Sequence, residues 1–403
     1  MTFARFDPVP ASYWRELTPA PAAHAYREGD LLADVVVVGL GAPGLLAASV
    51  LAEAGVRVIG VDAGSVGRGA AGANGGFLLA GGARFLHDAV EVWGRDKAHR
   101  LWHATLEELE MECRELDPSA LRLRRGGSLR VAGHPYGDPA FAAEEVADLN
   151  AQHRALLEVG VESTWQRLGD AEALHVPCDG WLDPARRVNL LAGRARAAGA
   201  VLLEQEPVTV LDSGLVSTSR RSIRSSFVLV TVDGHLEELL PGLPVRSWQL
   251  EMARYDQPSG GRLGLPTYMR WGFDYGFDLD ALEPELGGLG GGFVLGGFRD
   301  RFLADASLDT SRGPTRPTPG VQACLDQLAS GFAGHAVAAT TRWAAAVSYT
   351  EDLWPMVAEA RPGVWVCGGL SGHGNLIGPM AARAMAGHVL GDPSGEMLSW
   401  LAR

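Results

Sequence analysis

The sequence predicts a mixed α/β fold, with a helix-covered parallel sheet in one domain and an antiparallel sheet in a second. Two apolar, β-branched runs, Asp34–Val38 and Val56–Val61, flank a helical stretch, which is the order of a βαβ unit. Residues 240–300 instead have the pattern of several short strands rich in aromatic side chains. At 403 residues the chain is long enough for both domains.

The remaining elements are predicted from apolar spacing and from glycine and proline positions. A helix is expected after the first strand and its glycine turn, ending at Ala54, and further helices over 96–116, 139–159, 184–198 and 379–390. Strands are expected over 126–133, 200–211, 226–232, 293–298 and 364–367. We interpret the basic stretch Ser217–Arg224 as a solvated hairpin loop and Gly287–Gly292 as a flexible loop. Glycine and proline interrupt the uncharged run Val35–Ala52, which favours a strand, a turn and a helix over a membrane span.

Composition and charge exclude several classes of function. A net charge of −13 argues against nucleic-acid binding, because a phosphate backbone requires a basic surface. Lys97 is the single lysine of the chain, which nearly excludes a Schiff-base mechanism. The four cysteines are widely spaced without a CxxC pair, so no metal site is predicted. Free thiols and the lack of an apolar signal core in the first ten residues predict a cytoplasmic protein.

The turn between the first strand and the first helix has the pattern of a dinucleotide-binding site. Gly39, Gly41 and Gly44 form a GxGxxG motif that follows a buried strand and opens a helix, the context that the motif requires. Pro43 falls in the first helical turn, where its missing N–H is tolerated. Asp62 ends the second strand, where a carboxylate accepts hydrogen bonds from a ribose diol and disfavours a 2′-phosphate. This motif alone leaves NAD and FAD open.

Further segments carry a resemblance to a known family. Residues 67–76, GRGAAGANGG, are similar to the GxGASGRNGG stretch of FAD-dependent oxidoreductases of the D-amino acid oxidase superfamily. That superfamily includes glycine oxidase, sarcosine oxidase and γ-glutamylputrescine oxidase types. Residues 368–374, GGLSGHG, resemble the family's G-[FY]-S-G-H-G, and residues 296–300, GGFRD, resemble its G-G-x-R-D. Residues 342–355 resemble another family stretch, W-x-G…T-x-D-x-x-P, and Ser12–Trp14 fits one branch of the family.

The resemblance implies an FAD cofactor in a Rossmann-like domain, beside a second, antiparallel-sheet substrate domain. Ala71 and Ala73 replace the family's serine and arginine, and Val347 stands where sarcosine oxidase has a flavin-linked cysteine, so non-covalent FAD is expected. The FAD-binding domain is predicted from 1–95, 183–238 and 342–403, and the substrate domain from 96–182 and 239–341. The motif and the resemblance together give these cofactor-binding candidates: Gly39, Gly41, Pro43, Gly44, Asp62, Ala63, Arg68, Gly69, Ala70, Gly72, Ala73, Asn74, Gly75, Gly76, Val208, Gly369, Leu370, Ser371, Gly372, His373 and Gly374.

The resemblance also implies a reaction. Members of this family oxidise the C–N bond of an amine or amino acid by hydride transfer to flavin N5, and the imine product is hydrolysed. Arg270 and Arg299 are candidates for binding a substrate carboxylate, and Tyr268 and Trp248 for walling the substrate pocket. The expected electron acceptor is O2 or another oxidant. Two alternatives stay open, a NAD-dependent dehydrogenase and a flavin-binding protein without catalytic activity.

Overall fold

The computed structural model describes residues 11–19, 29–133, 135–137, 139–168, 171–281, 290–304, 308, 315–392 and 396–403. The helices of this part of the chain are α1 (Tyr13–Leu17), α2 (Ala42–Glu53), α3 (Leu86–Trp93), α4 (Arg95–Glu115), α5 (Pro118–Leu121), α6 (Ala142–Glu158), α7 (Pro184–Ala197), α8 (Leu236–Leu239), α9 (Pro319–Ala333), α10 (Gly374–Val389) and α11 (Glu396–Leu401). Short 3₁₀ turns lie at Ala70–Gly72, Pro139–Phe141, Arg270–Gly272 and Arg299–Phe302.

The strands fall into four sheets. In chain order they are β1 (Leu31–Leu32), β2 (Val35–Val38), β3 (Val58–Val61), β4 (Phe77–Leu78), β5 (Arg124–Arg125), β6 (Ser128–Val131), β7 (Thr164–Leu168), β8 (Ala171–Val176), β9 (Gly180–Trp181), β10 (Val201–Leu203), β11 (Val208–Asp212), β12 (Leu215–Thr218), β13 (Ser222–Arg224), β14 (Phe227–Val230), β15 (Arg246–Tyr255), β16 (Thr267–Met269), β17 (Asp274–Asp278), β18 (Phe293–Gly296), β19 (Thr341–Tyr349), β20 (Met356–Arg361) and β21 (Val364–Gly368). Two small sheets have the orders β1-β13-β12-β11 and β4-β9-β5.

A six-stranded sheet in the order β10-β3-β2-β14-β21-β20 forms the dinucleotide-binding half of the molecule. All neighbours in it are parallel except β20, which runs antiparallel to β21. In β2, Val35 and Val37 join one apolar core and Val36 and Val38 another, because both faces of the sheet are covered. Helix α2 packs between α7 and α10 on one face. The βαβ unit predicted from the sequence is confirmed.

An eight-stranded sheet in the order β19-β15-β18-β17-β16-β6-β8-β7 forms the second half. It is antiparallel apart from the β16–β6 pair. Helix α9 packs on one face through Leu325 and Phe332. Met252, Phe277 and Val294 belong to a different core, which also includes Trp14 of α1, Phe77 of β4 and Trp181 of β9. The β-rich character predicted for residues 240–300 is confirmed within the described residues.

Several local predictions differ from the structure. The stretch 217–224 is largely strand, because β12 pairs with β11 and β13. Its Arg221 is not solvated, since the buried guanidinium pairs with Glu206 at 2.9 Å. Residues 200–211 divide into two strands of different sheets. Helix α10 begins at Gly374, before Pro379; the Asn375 carbonyl that this proline leaves without a helical donor accepts a hydrogen bond from Arg187 Nη2 at 2.7 Å. Residues 287–289 of the predicted flexible loop lie outside the described residues.

The predicted domain boundaries stay a prediction. The six-stranded sheet takes its strands from 35–61, 201–230 and 356–368, and the eight-stranded sheet from 128–176, 246–296 and 341–349. Strand β19, which the prediction assigned to the FAD-binding domain, pairs with β15 along its whole length. In the described part of the chain, no helix is both long enough and apolar enough to cross a membrane.

Candidate active site

A cavity of about 710 Å³ lies between the two large sheets. Its walls include the ends of β2, β3 and β14 from the six-stranded sheet, and β15 and β19 from the eight-stranded sheet. Ligands of open α/β sheets bind at the carboxyl ends of the strands. Most of the predicted cofactor-binding residues line this cavity: Gly39, Gly41, Pro43, Asp62, Ala63, Arg68, Gly69, Ala70, Ala73, Asn74, Gly75, Val208, Leu370, Ser371, Gly372, His373 and Gly374.

The GxGxxG turn has the geometry of a phosphate-binding turn. Gly39 has a φ of +102°, which L-residues rarely adopt. Gly41 lines the cavity, and a Cβ there would lie 3.4 Å from Ala71 Cβ. A Cβ on Gly44 would overlap the carbonyl oxygen of Gly39, so only glycine lets helix α2 start this close to β2. The free N–H groups and the positive dipole end of α2 therefore meet the cavity next to Pro43.

The remaining predicted glycines lie behind the turns that line the cavity, packed closely against neighbouring atoms. Gly44, Gly72, Gly76 and Gly369 do not line the cavity. A Cβ on Gly72 would overlap the carbonyl oxygen of Gly67, and one on Gly76 that of Leu182. Gly369 has a φ of +56°, and a Cβ added there would lie 2.9 Å from Thr350 Cγ2. These positions shape the cavity wall without providing its surface.

Asp62 is held with its carboxylate at the edge of the cavity. Its Oδ2 accepts a hydrogen bond from Leu40 N and its Oδ1 one from Gly64 N, both at 2.7 Å. Burial raises the pKa of Asp62, and these two hydrogen bonds oppose that shift. Each carboxylate oxygen has a second lone pair, so the group can also accept from two hydroxyls.

The second glycine-rich segment is fixed by side chains that bind its carbonyls. Four consecutive carbonyl oxygens accept one side-chain hydrogen bond each, at 2.7 to 2.9 Å. The donors are Ser12 Oγ for Gly72, Trp343 Nε1 for Ala73, Trp14 Nε1 for Asn74 and Trp181 Nε1 for Gly75. Residues far apart in the sequence therefore determine how each of these peptide planes is turned.

Asn74 connects this segment to the start of helix α10. Its Nδ2 donates to the carbonyls of Ala70 and Ala71, while its Oδ1 accepts from Gly76 N at 2.7 Å. The same oxygen accepts from Asn375 Nδ2 at 3.0 Å. The second and third glycine-rich segments are thus hydrogen-bonded to one another.

Asp233 fixes the third glycine-rich segment. Its carboxylate accepts hydrogen bonds from Leu370 N at 3.0 Å and from Ser348 N at 3.1 Å. Burial raises the pKa of Asp233 to about 6. Ser371, with a φ of +51°, donates its N–H to the Ser348 carbonyl at 2.9 Å. A single buried carboxyl therefore holds this turn against strand β19.

His373 lines the cavity with a neutral imidazole ring. It is the residue that precedes helix α10, and burial lowers its pKa to about 4, so the imidazole is neutral at pH 7. Its Nδ1 is buried and has no hydrogen-bond partner among the described residues. The ring lies edge-on to Tyr268, with a centroid separation of 6.1 Å.

The end of the cavity nearest the eight-stranded sheet is aromatic and carries one arginine. Tyr268, Tyr275 and Tyr349 line it together with Arg299. Burial raises the pKa of all three tyrosines, so they stay protonated donors. The hydroxyls of Tyr268 and Tyr275 have no hydrogen-bond partner within the described ranges. Arg299 stacks on Tyr349 and forms no ion pair with any described carboxylate.

Two other predicted substrate residues lie elsewhere. Arg270 is paired with Asp274 at 2.5 Å and with Asp300 at 2.9 Å, and it does not line the cavity. Trp248 packs in the core beneath the eight-stranded sheet, under the guanidinium of Arg246 at 4.3 Å, and is also absent from the cavity wall. Their side chains stabilise the sheet around the site.

Sequence reasoning missed three residues that shape the site. Asp233 follows an apolar strand, the same signal that identified Asp62, and it could have been found in that way. Arg15 lines the cavity and donates to Asn189 Oδ1 at 3.1 Å and to the Val66 carbonyl. Asn375 follows the third glycine-rich segment directly. For Arg15 and Asn375 no local pattern indicated a role, because their partners are distant in the sequence.

Comparisons with known proteins agree with this geometry. The model of the family described as FAD dependent oxidoreductase matches residues 34–387. The chain is 26% identical over 402 residues to probable oxidoreductase OrdL of Rhizobium meliloti (strain 1021), covering 96% of this chain and 90% of that protein. It is 25% identical over 401 residues to gamma-glutamylputrescine oxidoreductase of Escherichia coli (strain K12), with 93% and 88% covered.

The solved structures show the same fold. Glycine oxidase from Geobacillus kaustophilus superposes with a TM-score of 0.68 at 20% identity, covering 90% of this chain and 96% of that one. Glycine oxidase from Bacillus cereus ATCC 14579 gives a TM-score of 0.69 at 17% identity, with 92% and 99% covered. The mixed α/β fold expected from the sequence is confirmed.

Proposed function

The chain belongs to the FAD dependent oxidoreductase family, and from this premise we propose that it oxidises a carbon–nitrogen bond of an amine or amino acid. The observation that carries the proposal is that one cavity joins the dinucleotide turn at one end to Arg299 and three tyrosines at the other. A cofactor and an amine-bearing substrate can meet inside it.

The residues of the cavity fit FAD. An elongated dinucleotide needs contacts from several segments, and the three glycine-rich segments supply them along one cavity. We assign the ribose hydroxyls to Asp62 and the pyrophosphate to the N-terminus of α2, with Arg15 and Arg68 as nearby cations. His373 and Gly374, of the third glycine-rich segment, also line the cavity. The NAD alternative is not carried further, because the family is FAD dependent.

Bound FAD supplies the two-electron chemistry, so the chain's own residues need only bind, orient and exclude water. The tyrosine rings give the reacting end a low polarity, which favours an amine in its neutral form over an ammonium. The hydroxyls of Tyr268 and Tyr275 are available to accept from a substrate N–H or to donate to a carboxylate. No strong base is required of these side chains.

Arg299 supports a substrate that carries a carboxylate. It is the arginine in the tyrosine-lined end of the cavity, and no described carboxylate neutralises it. A guanidinium matches a carboxylate through two parallel hydrogen bonds. The gamma-glutamylputrescine and glycine enzymes among the relatives, by their names, act on an amine and an amino acid. We therefore place an amino acid or carboxylate-bearing amine first among the substrates.

Further parts of the proposal concern the cofactor linkage and the setting. FAD is held non-covalently; in support, Val347 and not a cysteine lines the cavity, and each described cysteine is a free thiol away from it. The electron acceptor is O2 or another oxidant. The free thiols support a cytoplasmic location, and the net charge of −13 supports the expectation that nucleic acid is not a partner. The predicted two-domain division is retained as part of this proposal.

The test is spectroscopic. The purified protein is expected to show a flavin spectrum, to release FAD on acid denaturation, and to be bleached anaerobically by one class among a panel of amines and amino acids. Readmitted oxygen then separates an oxidase from a dehydrogenase by the speed of reoxidation. Bound FAD that no amine or amino acid reduces would contradict the proposed reaction and favour the non-catalytic alternative. Flavin that stays with the precipitated protein would contradict non-covalent binding.

A further inference from the structure

Three peptide planes accept an indole hydrogen bond through the carbonyls of residues 73–75, and they differ in whether the N–H group of the plane is also bonded. Ala73 and Gly75 accept from Trp343 and Trp181, and the amide N–H groups on the same peptide planes are already bonded. Those two amides are Asn74 N, which donates to the Ala70 carbonyl at 2.9 Å, and Gly76 N, which donates to Asn74 Oδ1 at 2.7 Å. The middle plane differs, because Gly75 N has no partner among the described residues.

The direction of this free N–H follows from peptide geometry. In a trans peptide the C=O and N–H of one plane point in opposite directions. The Asn74 carbonyl points toward Trp14, which is 0% exposed and sits in the core below the segment. Gly75 lines the cavity, whereas Trp14 does not. The Gly75 N–H is therefore turned away from the core and toward the cavity.

We propose that Trp14 is a positioning residue for the cofactor, because it turns the Asn74–Gly75 peptide plane so that the Gly75 N–H donates to a polar atom of FAD. The inference rests on the proposed function only through FAD binding and is independent of which substrate is oxidised. A donor held in place before the ligand arrives contributes more to binding than one that must be reoriented on binding.

The surroundings of Trp14 hold it rigidly enough for this role. Its ring stacks on Phe277 with centroids 6.0 Å apart and an interplanar angle of 13°. It meets Trp181 and Trp343 edge-on, at 5.7 and 6.5 Å. Ser12, the N-cap residue of the same short helix, donates its Oγ hydrogen to the Gly72 carbonyl at 2.9 Å. Helix α1, outside the βαβ unit, is thus part of the cofactor site.

A pair of matched variants tests the proposal. Trp14→Phe and Trp181→Phe each remove one indole N–H from a buried ring of the same kind, and neither ring lines the cavity. The dissociation constant of FAD for each apoprotein is measured by fluorescence titration, and the flavin reduction potential of each loaded protein by dye equilibration. We expect Trp14→Phe to weaken FAD binding about fivefold and to shift the potential, and Trp181→Phe to change affinity by less than about twofold.

Equal effects of the two variants, at equal apoprotein melting temperatures, would overturn the proposal, since they would indicate packing alone. If Trp14→Phe does not fold, the wild-type protein gives the answer through ¹⁵N-glycine labelling, with Gly75→Ala to assign the resonance. The Gly75 amide resonance is expected to move on FAD addition, and an unmoved resonance would also overturn the proposal. Both measurements concern FAD binding and can be made even if no amine reduces the flavin. Failure of the proposed reaction and failure of this proposal can therefore be distinguished.

Discussion

The guanidinium of Arg299 lies over the ring of Tyr349, with its central carbon 4.2 Å from the ring centroid. The stacking orients the arginine without neutralising it, since no described carboxylate is paired with it. Its neighbour Arg301 stacks instead on Phe298, at 5.0 Å, and does not line the cavity. The two arginines have the same type of aromatic contact, but only Arg299 faces the cavity.

Arg299→Gln is expected to reduce kcat/KM for a carboxylate-bearing amine by about 10- to 100-fold, because a charge-assisted hydrogen bond is lost. An amine of similar size without a carboxylate should lose far less. Steady-state kinetics with such a substrate pair measures the difference. Arg301→Gln is the matched control and should leave both substrates nearly unaffected. Equal losses for both substrates of the Arg299 variant would show that Arg299 does not bind a carboxylate.

The GxGxxG turn gives a prediction with two helical glycines. In Gly44→Ala the new Cβ would overlap the Gly39 carbonyl, so helix α2 must shift and both stability and FAD binding should fall. Gly193→Ala, in helix α7, meets no atom within 4 Å and should stabilise the protein by about 0.5 to 1 kcal/mol. Thermal unfolding and FAD titration measure both effects. An unchanged FAD affinity in Gly44→Ala would contradict the close approach at this turn.

The sequence predicted the parts of this site that depend on local pattern. The motif around Gly39 and Asp62 lies within one βαβ unit, in the order strand, turn, helix, strand and terminal acid. It can be recognised in the sequence because each of its residues acts through neighbours in that unit. The contacts of Trp14 and Trp343 with residues 73 and 74 join segments far apart in the chain. No short-range spacing encodes such contacts, so they appear only when both sheets are in place.

Other residues are also separated in the sequence from the partners that the fold gives them. Arg270 in the sequence is a free cation on a β-rich segment, but the fold brings Asp274 and Asp300 to it. The basic stretch 217–224 contains no acidic residue, so its sequence predicts a solvated loop, but the fold pairs Arg221 with Glu206, which lies before β11. Asp233 is different, because it directly follows an apolar run, a local pattern that the sequence shows.

Asp62 tests the ribose-binding assignment. In Asp62→Asn one acceptor oxygen is replaced by an NH2 group that faces a backbone N–H of Leu40 or Gly64, so one hydrogen bond is lost. We expect FAD affinity to fall about tenfold. Asp34→Asn, which alters an exposed ion pair with Arg57 before strand β2, is the control and should bind FAD normally. The assignment is wrong if titration gives the same affinity for both variants.

His373 predicts a pH dependence of stability in the apoprotein. Its pKa of about 4 in the folded chain lies below the ordinary value of 6.5, so between these values the unfolded chain binds a proton that the folded chain does not. The contribution of His373 to the free energy of unfolding is therefore fully present above pH 6.5. It is lost as the pH falls toward 4, by up to about 1 kcal/mol per pH unit. The neighbouring carboxyl of Asp233 acts in the opposite direction, since its raised pKa favours the folded state as the pH falls through 6.

Urea unfolding of wild type and His373→Gln at pH 7.0, 5.5 and 4.5 isolates the histidine, because Asp233 is present in both proteins and cancels in their difference. We expect the wild type to lose more stability than the variant between the first and last pH. His335→Gln, which removes an exposed histidine, should follow the wild-type curve. Parallel curves for wild type and His373→Gln would mean that burial does not lower the pKa of His373 in the folded protein.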